Sequence, residues 1–308
     1  MGALRRHRLG LRVRPAWAIA RHAARHTLRT PAHLVVWLGA LALAGVLPAL
    51  THVALLEKRR LVCDSLLALT LTSGVAAGML GAVQAVGGDL ARRSAALVLT
   101  RPVGRCAWLA GQVAGVSLAL VPLWLSLALA TLWGSRIARD PYLVEARALA
   151  AYGLALGLAL VGAAASARRR GFGPAWAVSC PLALALVFAL LAREGAALVD
   201  WSLLPALVAA LAAGVLACAV AAGLALALEP APALLAGAAL FWLGLVGDGL
   251  WRGGLGWVLW LVLPNWQAHW APGGADWLWA ARVGGYSLCY AAAVILLGGR
   301  WLARGGWA

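Results

Sequence analysis

The sequence predicts an all-α fold, a polytopic membrane helix bundle of about six to eight transmembrane helices. Composition gives the first reason: the 308 residues are 64% hydrophobic and 12% charged, with a mean hydropathy of +0.87, whereas charged residues make up about a quarter of a soluble domain. The second is length. Apolar runs of 17–26 residues recur along the chain, which is what about 30 Å of hydrocarbon requires of a helix. The third is charge placement, since arginines gather between these runs and hardly enter them. We read one membrane domain over residues 1–308.

The chain opens on a basic arm, residues 1–32, with eight arginines and no acidic residue in 1–29. Within it, residues 15–31 are bracketed by prolines. At 100° per residue, Ala16, Trp17, Ala20, Ala23, Ala24, Thr27 and Leu28 share one arc, and Arg21, His22, Arg25, His26 and Arg29 the other. An amphipathic helix of this kind lies at the headgroups with its arginines against anionic lipid. Trp17, Arg21, Arg25, Leu28 and Arg29 are its candidate contact residues. No apolar run begins before Leu34 and no small-residue cleavage site follows it, so the first span is expected to stay attached.

Spans are expected at 34–50, 65–87, 107–133, 148–167, 174–192, 203–228, 234–250 and 283–299. With the arginine-rich arm inside, alternation puts 88–106, Arg168–Arg170, Arg300 and Arg304 inside as well, as the positive-inside rule requires. Lys58, Arg59 and Arg60 then fall outside, against the rule, with Glu57 and Asp64 diluting them. Asp64, just before Ser65, reads as the N-cap of the second span. Residues 251–282 carry five glycines, two prolines and seven tryptophans, which suits an interfacial or re-entrant segment on the outer face.

Much catalytic chemistry lacks its residues. Lys58 is the only lysine and sits in ALLEKRRL, so there is no GxxxxGK[ST] loop to cradle phosphates. The six histidines form no HExxH, and the five cysteines show no ligand spacing, so no metal site and no catalytic residue is expected. Asp248 is the one candidate for a buried functional carboxylate, and pairing with Arg252 at the helix end is the role expected of it first. The charge of +16 is explained by topology, and no nucleic acid is expected as a partner.

The stretch GDLARRSAALVLTRPVGRCAWLAGQ (88–112) stands apart. It sets Asp89, Arg92, Arg93, Arg101 and Arg105 between two apolar runs, where ionised side chains cannot enter hydrocarbon without a cost of several kcal/mol. Residues 89–100 have helical spacing, and Pro102 ends that helix.

In this stretch Asp89 is an acidic residue followed by Leu99-Thr100-Arg101-Pro102-Val103-Gly104-Arg105 and then Gly111-Gln112. Together with the basic interfacial helix, EKRRLVCDSLLAL (57–69), LPNWQAHW (263–270) and a last span ending in Arg, it resembles the permease subunit of an ATP-binding-cassette exporter of the type-2 family. The sequence departs from the family's pattern at Arg93-Ser94 (usually Gly-Thr), Gly104 (Ser or Thr) and Gln112 (Lys). The resemblance implies a transport subunit that is not itself an enzyme. It implies a cytoplasmic coupling helix between spans two and three, with Asp89, Arg92, Arg93, Leu99, Arg101, Pro102 and Arg105 as ATPase-coupling residues. It further implies a separate P-loop ATPase subunit that uses the ATP, no cofactor bound by this chain, and a second permease copy, identical or related. The expected location is the cytoplasmic membrane, with both termini inside and lipids as partners. Two other classes fit the composition: a membrane-embedded enzyme acting on a lipid-linked substrate, and a non-catalytic scaffold or channel subunit.

Overall fold

The computed structural model describes residues 2–50, 57–91, 103–140, 143–193, 199–250, 263–270 and 275–304, with the side chains of 2–14, 50 and 247–250 left out. Among these residues there are nine α-helices and no strand. In chain order they are α1 (Gly2–Arg29), α2 (Pro31–Leu50), α3 (Lys58–Ala91), α4 (Arg105–Ile137), α5 (Ala146–Arg170), α6 (Phe172–Ala192), α7 (Leu204–Leu224), α8 (Pro230–Leu250) and α9 (Trp277–Ala303). Helices α2 to α7 and α9 are each long and apolar enough to cross a membrane. The molecule is an all-α polytopic bundle.

Helix α8 is apolar over Pro230–Val246 and runs antiparallel to α3, with Gly87 beside Pro230 and Gly237 beside Met79. Neighbouring contacts fix the other directions. Ser179 of α6 bonds back to the Ala159 carbonyl of α5 at 2.9 Å, while α7 and α9 run parallel, with Gly223 against Val294 and Gly298 against Leu226. The eight helices from α2 to α9 therefore alternate, and the start of α2 and the end of α9 lie at one end of the bundle. We call it the arginine-rich end: it carries Arg21, Arg25, Arg29, Arg105, Arg168–Arg170, Arg300 and Arg304 against Asp89 and Glu229.

Seven of the eight expected spans appear with shifted bounds as helices long and apolar enough to cross, while the one expected at 234–250 lies in α8, whose apolar stretch Pro230–Val246 is shorter. Helices α3 and α4 have 34 and 33 residues, about 50 Å each at 1.5 Å per residue, and so overrun about 30 Å of hydrocarbon. Asp64 is corrected from N-cap to the second turn of α3, where it faces Arg60 across one turn at 4.0 Å. Helix α1 is not confined to 15–31; it extends back to Gly2 through Pro15. It ends at Arg29 because Pro31 drives the residue before it out of helical geometry, and Pro31 itself opens α2.

The core is a seam of small residues between α3 and α7. Gly74 lies under the Ala210 carbonyl, and a β-carbon on Gly78 would stand 2.7 Å from the Gly214 carbonyl oxygen and 3.1 Å from Cys218 Sγ. Lipid tails are as apolar as leucine, so helices in a membrane associate through such close backbone approach. Two buried hydroxyls of the core are tied off locally: Thr70 and Thr131 bond to the carbonyls four residues before them and meet at 3.3 Å.

Gly78→Val should be destabilising by about 1–3 kcal/mol through overpacking, because the obstructing atoms are backbone. Gly157→Ala, with nothing within 4 Å of the added carbon, should be neutral or stabilising by up to about 1 kcal/mol. Thermal denaturation of the two variants in the same detergent checks both.

Candidate functional site

Helix α1 is seated on glycines at the arginine-rich end. Its Ala16 carbonyl and Ile19 lie 2.9 Å from where a Gly111 β-carbon would stand, and Ala20 and Ala23 fill the notch at Gly115 one turn on. Thr27 sits against Gly81 of α3, and the Leu28 carbonyl against Gly173 of α6. Because 16 to 20 follows 111 to 115 in the same sense, α1 runs alongside the protruding first turns of α4.

This divides the expected apolar arc. Ala20, Ala23 and Thr27 are buried against protein. Trp17, by contrast, is 60% exposed, and Leu28 is half-buried. Arg21, Arg25 and Arg29 are exposed. The inner face is thus covered by the bundle and not by lipid, which leaves Trp17 and the arginines as the outward face.

Asp89 occupies the last turn of α3, and its Oδ2 accepts from Gln112 Nε2 at 2.6 Å. The acidic position at one end of the 88–112 stretch is thereby joined to the glutamine at the other. A cavity of about 40 Å³ beside this bond is lined by His22 and His26 of α1, Gln84 and Asp89 of α3, and Gln112 of α4, large enough for about one water among polar partners. Arg105, the first residue of α4, is exposed. Arg92, Arg93, Leu99, Arg101 and Pro102, and with them the expected coupling helix, lie outside the described residues. So do Arg252 and the side chain of Asp248.

The opposite end holds groups that no sequence motif marks. Lys58 is fully buried, and its Nζ donates to the Leu143 carbonyl at 3.1 Å. Arg59 pairs with Asp200 at 3.5 Å. Arg136 is 6% exposed; it donates to the Glu145 carboxylate through Nε and Nη2 and to the Leu191 carbonyl through Nη1 at 2.9 Å. The Asp200 amide donates to Ser135 Oγ at 3.2 Å. Of the basic residues that offended the charge rule, Lys58 is bonded by the loop at 143 and Arg59 by Asp200, while Arg60 is exposed and faces Asp64 on its own helix.

The same end carries a knot at 263–270, within the tryptophan-rich segment expected to be interfacial. Trp266 is fully buried, packed edge-on to Phe241 of α8 at 5.4 Å and over Gly244, whose missing side chain leaves room for it. The Asn265 amide donates to Tyr286 Oη at 2.9 Å. His269 Nδ1 lies 3.2 Å from the Asn265 carbonyl and Nε2 lies 2.8 Å from Ser287 Oγ. The neutral ring has one proton for these two contacts, and Ser287 Oγ itself donates to the Val283 carbonyl at 3.0 Å. Burial pushes the His269 pKa down from 6.5 to about 4, partly opposed by the bond to Asn265.

The knot should therefore be acid-sensitive. An unfolded His269 takes up a proton near pH 6.5 and the folded one near 4, so its contribution is whole above pH 6.5 and drains away as pH falls towards 4, on the order of 3 kcal/mol in all. Thermal denaturation midpoints from pH 7.5 to 4 should fall less steeply in His269→Gln than in the unaltered protein.

No family model matches the chain and no curated protein matches it, so its function is argued from its own residues and geometry.

Proposed function

We propose that the chain is the membrane-spanning subunit of a type-2 ATP-binding-cassette exporter, forming half of a translocation path and driven by a separate ATPase. One observation carries the reading. The 2.6 Å bond between Asp89 and Gln112 couples the two ends of the charged 88–112 stretch at the place where α1 rests on Gly111 and Gly115. A load on the intervening residues would reach α1, α3 and α4 together. The position of Lys58 gives further support. The chain's one lysine is buried at the far end from that stretch with its amine on a backbone carbonyl, so it is not available to hold a nucleotide phosphate, and ATP would be used by the partner.

In this reading the arginine-rich end is cytoplasmic, because short loops retain basic residues on that side, and both termini are inside a cytoplasmic membrane. A second copy or a relative of this chain supplies the other half. Arg92, Arg93, Arg101 and Arg105 offer planar forks for carboxylates on the ATPase. Asp89 orients the start of that surface.

Orientation is checked in a cysteine-free background by an impermeant thiol reagent applied to intact cells. Arg139→Cys, exposed beyond the end of α4, should be labelled, and Arg169→Cys, at the end of α5, should not. The reverse pattern would overturn the assignment of sides and the coupling scheme with it.

Coupling is checked by the double reversal Arg101→Glu and Arg105→Glu. Removing the partner of an interfacial charge costs about 2–5 kcal/mol, so a co-expressed P-loop ATPase should be lost from the purified complex, or its substrate-stimulated hydrolysis abolished, at unchanged membrane insertion. Equal binding and equal stimulated hydrolysis would return these arginines to a purely topological role.

A further inference from the structure

An open groove of about 470 Å³ runs down the outside of the bundle between the end of α7 and the last turns of α9. Its walls are apolar, with Gly223 and Leu226 on one side and Val294 and Leu297 on the other. At its mouth stand Arg300 and Arg304, one turn apart and so on the same face of α9. We propose that this groove binds one acidic phospholipid, its phosphate held by Arg300 and Arg304 and one acyl chain laid along Leu297 and Val294.

Three features select that occupant. Both guanidinium groups are exposed, and among the described residues neither has an acidic side chain within salt-bridge distance; Glu229, two residues beyond Ala227, does not line the groove. The charge sits at the arginine-rich end of a spanning helix, the level at which a headgroup lies, while Val294 is ten residues, about 15 Å, deeper. Finally, Leu297 is 64% exposed and Trp301 40% exposed, so the walls present apolar surface to lipid instead of closing on each other. Basic pockets between spanning helices recognise anionic headgroups in this way, and the volume falls in the range of about 300–1,000 Å³ usual for ligand sites. The proposal does not depend on the exporter reading, because nothing in it requires an ATPase.

The test is native mass spectrometry of the full chain released from detergent micelles containing phosphatidylglycerol and phosphatidylcholine with the same acyl chains. One retained phosphatidylglycerol is expected, favoured over phosphatidylcholine by about tenfold or more. The Arg300→Gln, Arg304→Gln double variant should lose that preference, and Leu297→Trp, which fills the groove and keeps both arginines, should lose it too. Both change exposed positions, and a single symmetrical size-exclusion peak verifies folding. Arg168→Gln with Arg169→Gln, equal in charge change but on α5, should keep the preference. Retention unchanged in either groove variant, equal loss in the α5 variant, or displacement of the lipid by millimolar inorganic phosphate alone would overturn the assignment.

Discussion

Everything in this bundle hangs on how closely α3 and α7 approach. In hydrocarbon two helices gain nothing by hiding apolar surface from lipid, so association rests on dense contact between backbones. Gly74 and Gly78 on α3 and Ala210, Gly214 and Cys218 on α7 recur at four-residue intervals, which places them in facing rows. The other helices exploit the same device outward from this seam. Leu120 of α4 reaches to 3.1 Å from the Gly214 position, Val116 and Thr27 converge on Gly81, and Met79 meets Gly237 of α8. Widening the seam by one methyl group would displace each of these layers in turn.

The two ends solve the problem of charge differently. At the far end, Lys58, Arg59 and Arg136 are bonded to carbonyls and carboxylates contributed by the loop at 143–145, by the end of α6 and by Asp200. Lys58 and Arg136 are buried and bonded inside the protein, where leaving one unpaired would be strongly destabilising, whereas the Arg59–Asp200 pair is part-exposed. At the arginine-rich end the guanidinium groups of Arg21, Arg25, Arg29, Arg105 and Arg300 are exposed, and face water, headgroups or other chains. The far end also exposes Arg139, Arg147, Arg193 and Arg282, so what distinguishes it is the buried ties of Lys58 and Arg136 and not a lack of exposed arginines.

Legibility in the sequence followed the locality of the cause. Seven of the eight expected spans were readable because span length and hydropathy are properties of each segment alone. The start of α3 was not, since Lys58 is admitted to a buried position by a carbonyl 85 residues away, and a reader of the sequence sees only a charged loop that ought to precede the helix. The same holds for α1. Its helical character was evident, yet which face would be covered depended on glycines at 81, 111, 115 and 173, and with 36 glycines in the chain nothing singled those out. Trp17 was read as a lipid contact on the apolar arc, and it stays outside the bundle, 60% exposed, because the notch at Gly115 is filled by Ala20 and Ala23. At the 88–112 stretch, the charge pattern identified the segment, while the bond from Gln112 to Asp89 could be found only once α3 and α4 were laid side by side.

The mechanical consequence lies in the kinds of contact at each end. Hydrogen bonds and ion pairs are directional, so the ties from Arg136, Lys58 and Asp200 hold α3, α4, α6 and the start of α7 in one register. The seat of α1 on α4 is made instead of alanine and isoleucine against glycine, contacts that tolerate small sliding because no donor is abandoned when they shift. Asp89 and Gln112 add a directional bond there, joining the last turn of α3 to α4 near the arginine-rich end. A force applied to the residues between them would therefore meet stiff ties about 50 Å away and compliant packing near at hand. Under the proposed coupling scheme, α3 and α4 would tilt about their far ends, and α1, which touches Gly111 and Gly115 of α4 and Gly81 of α3, would be carried with them.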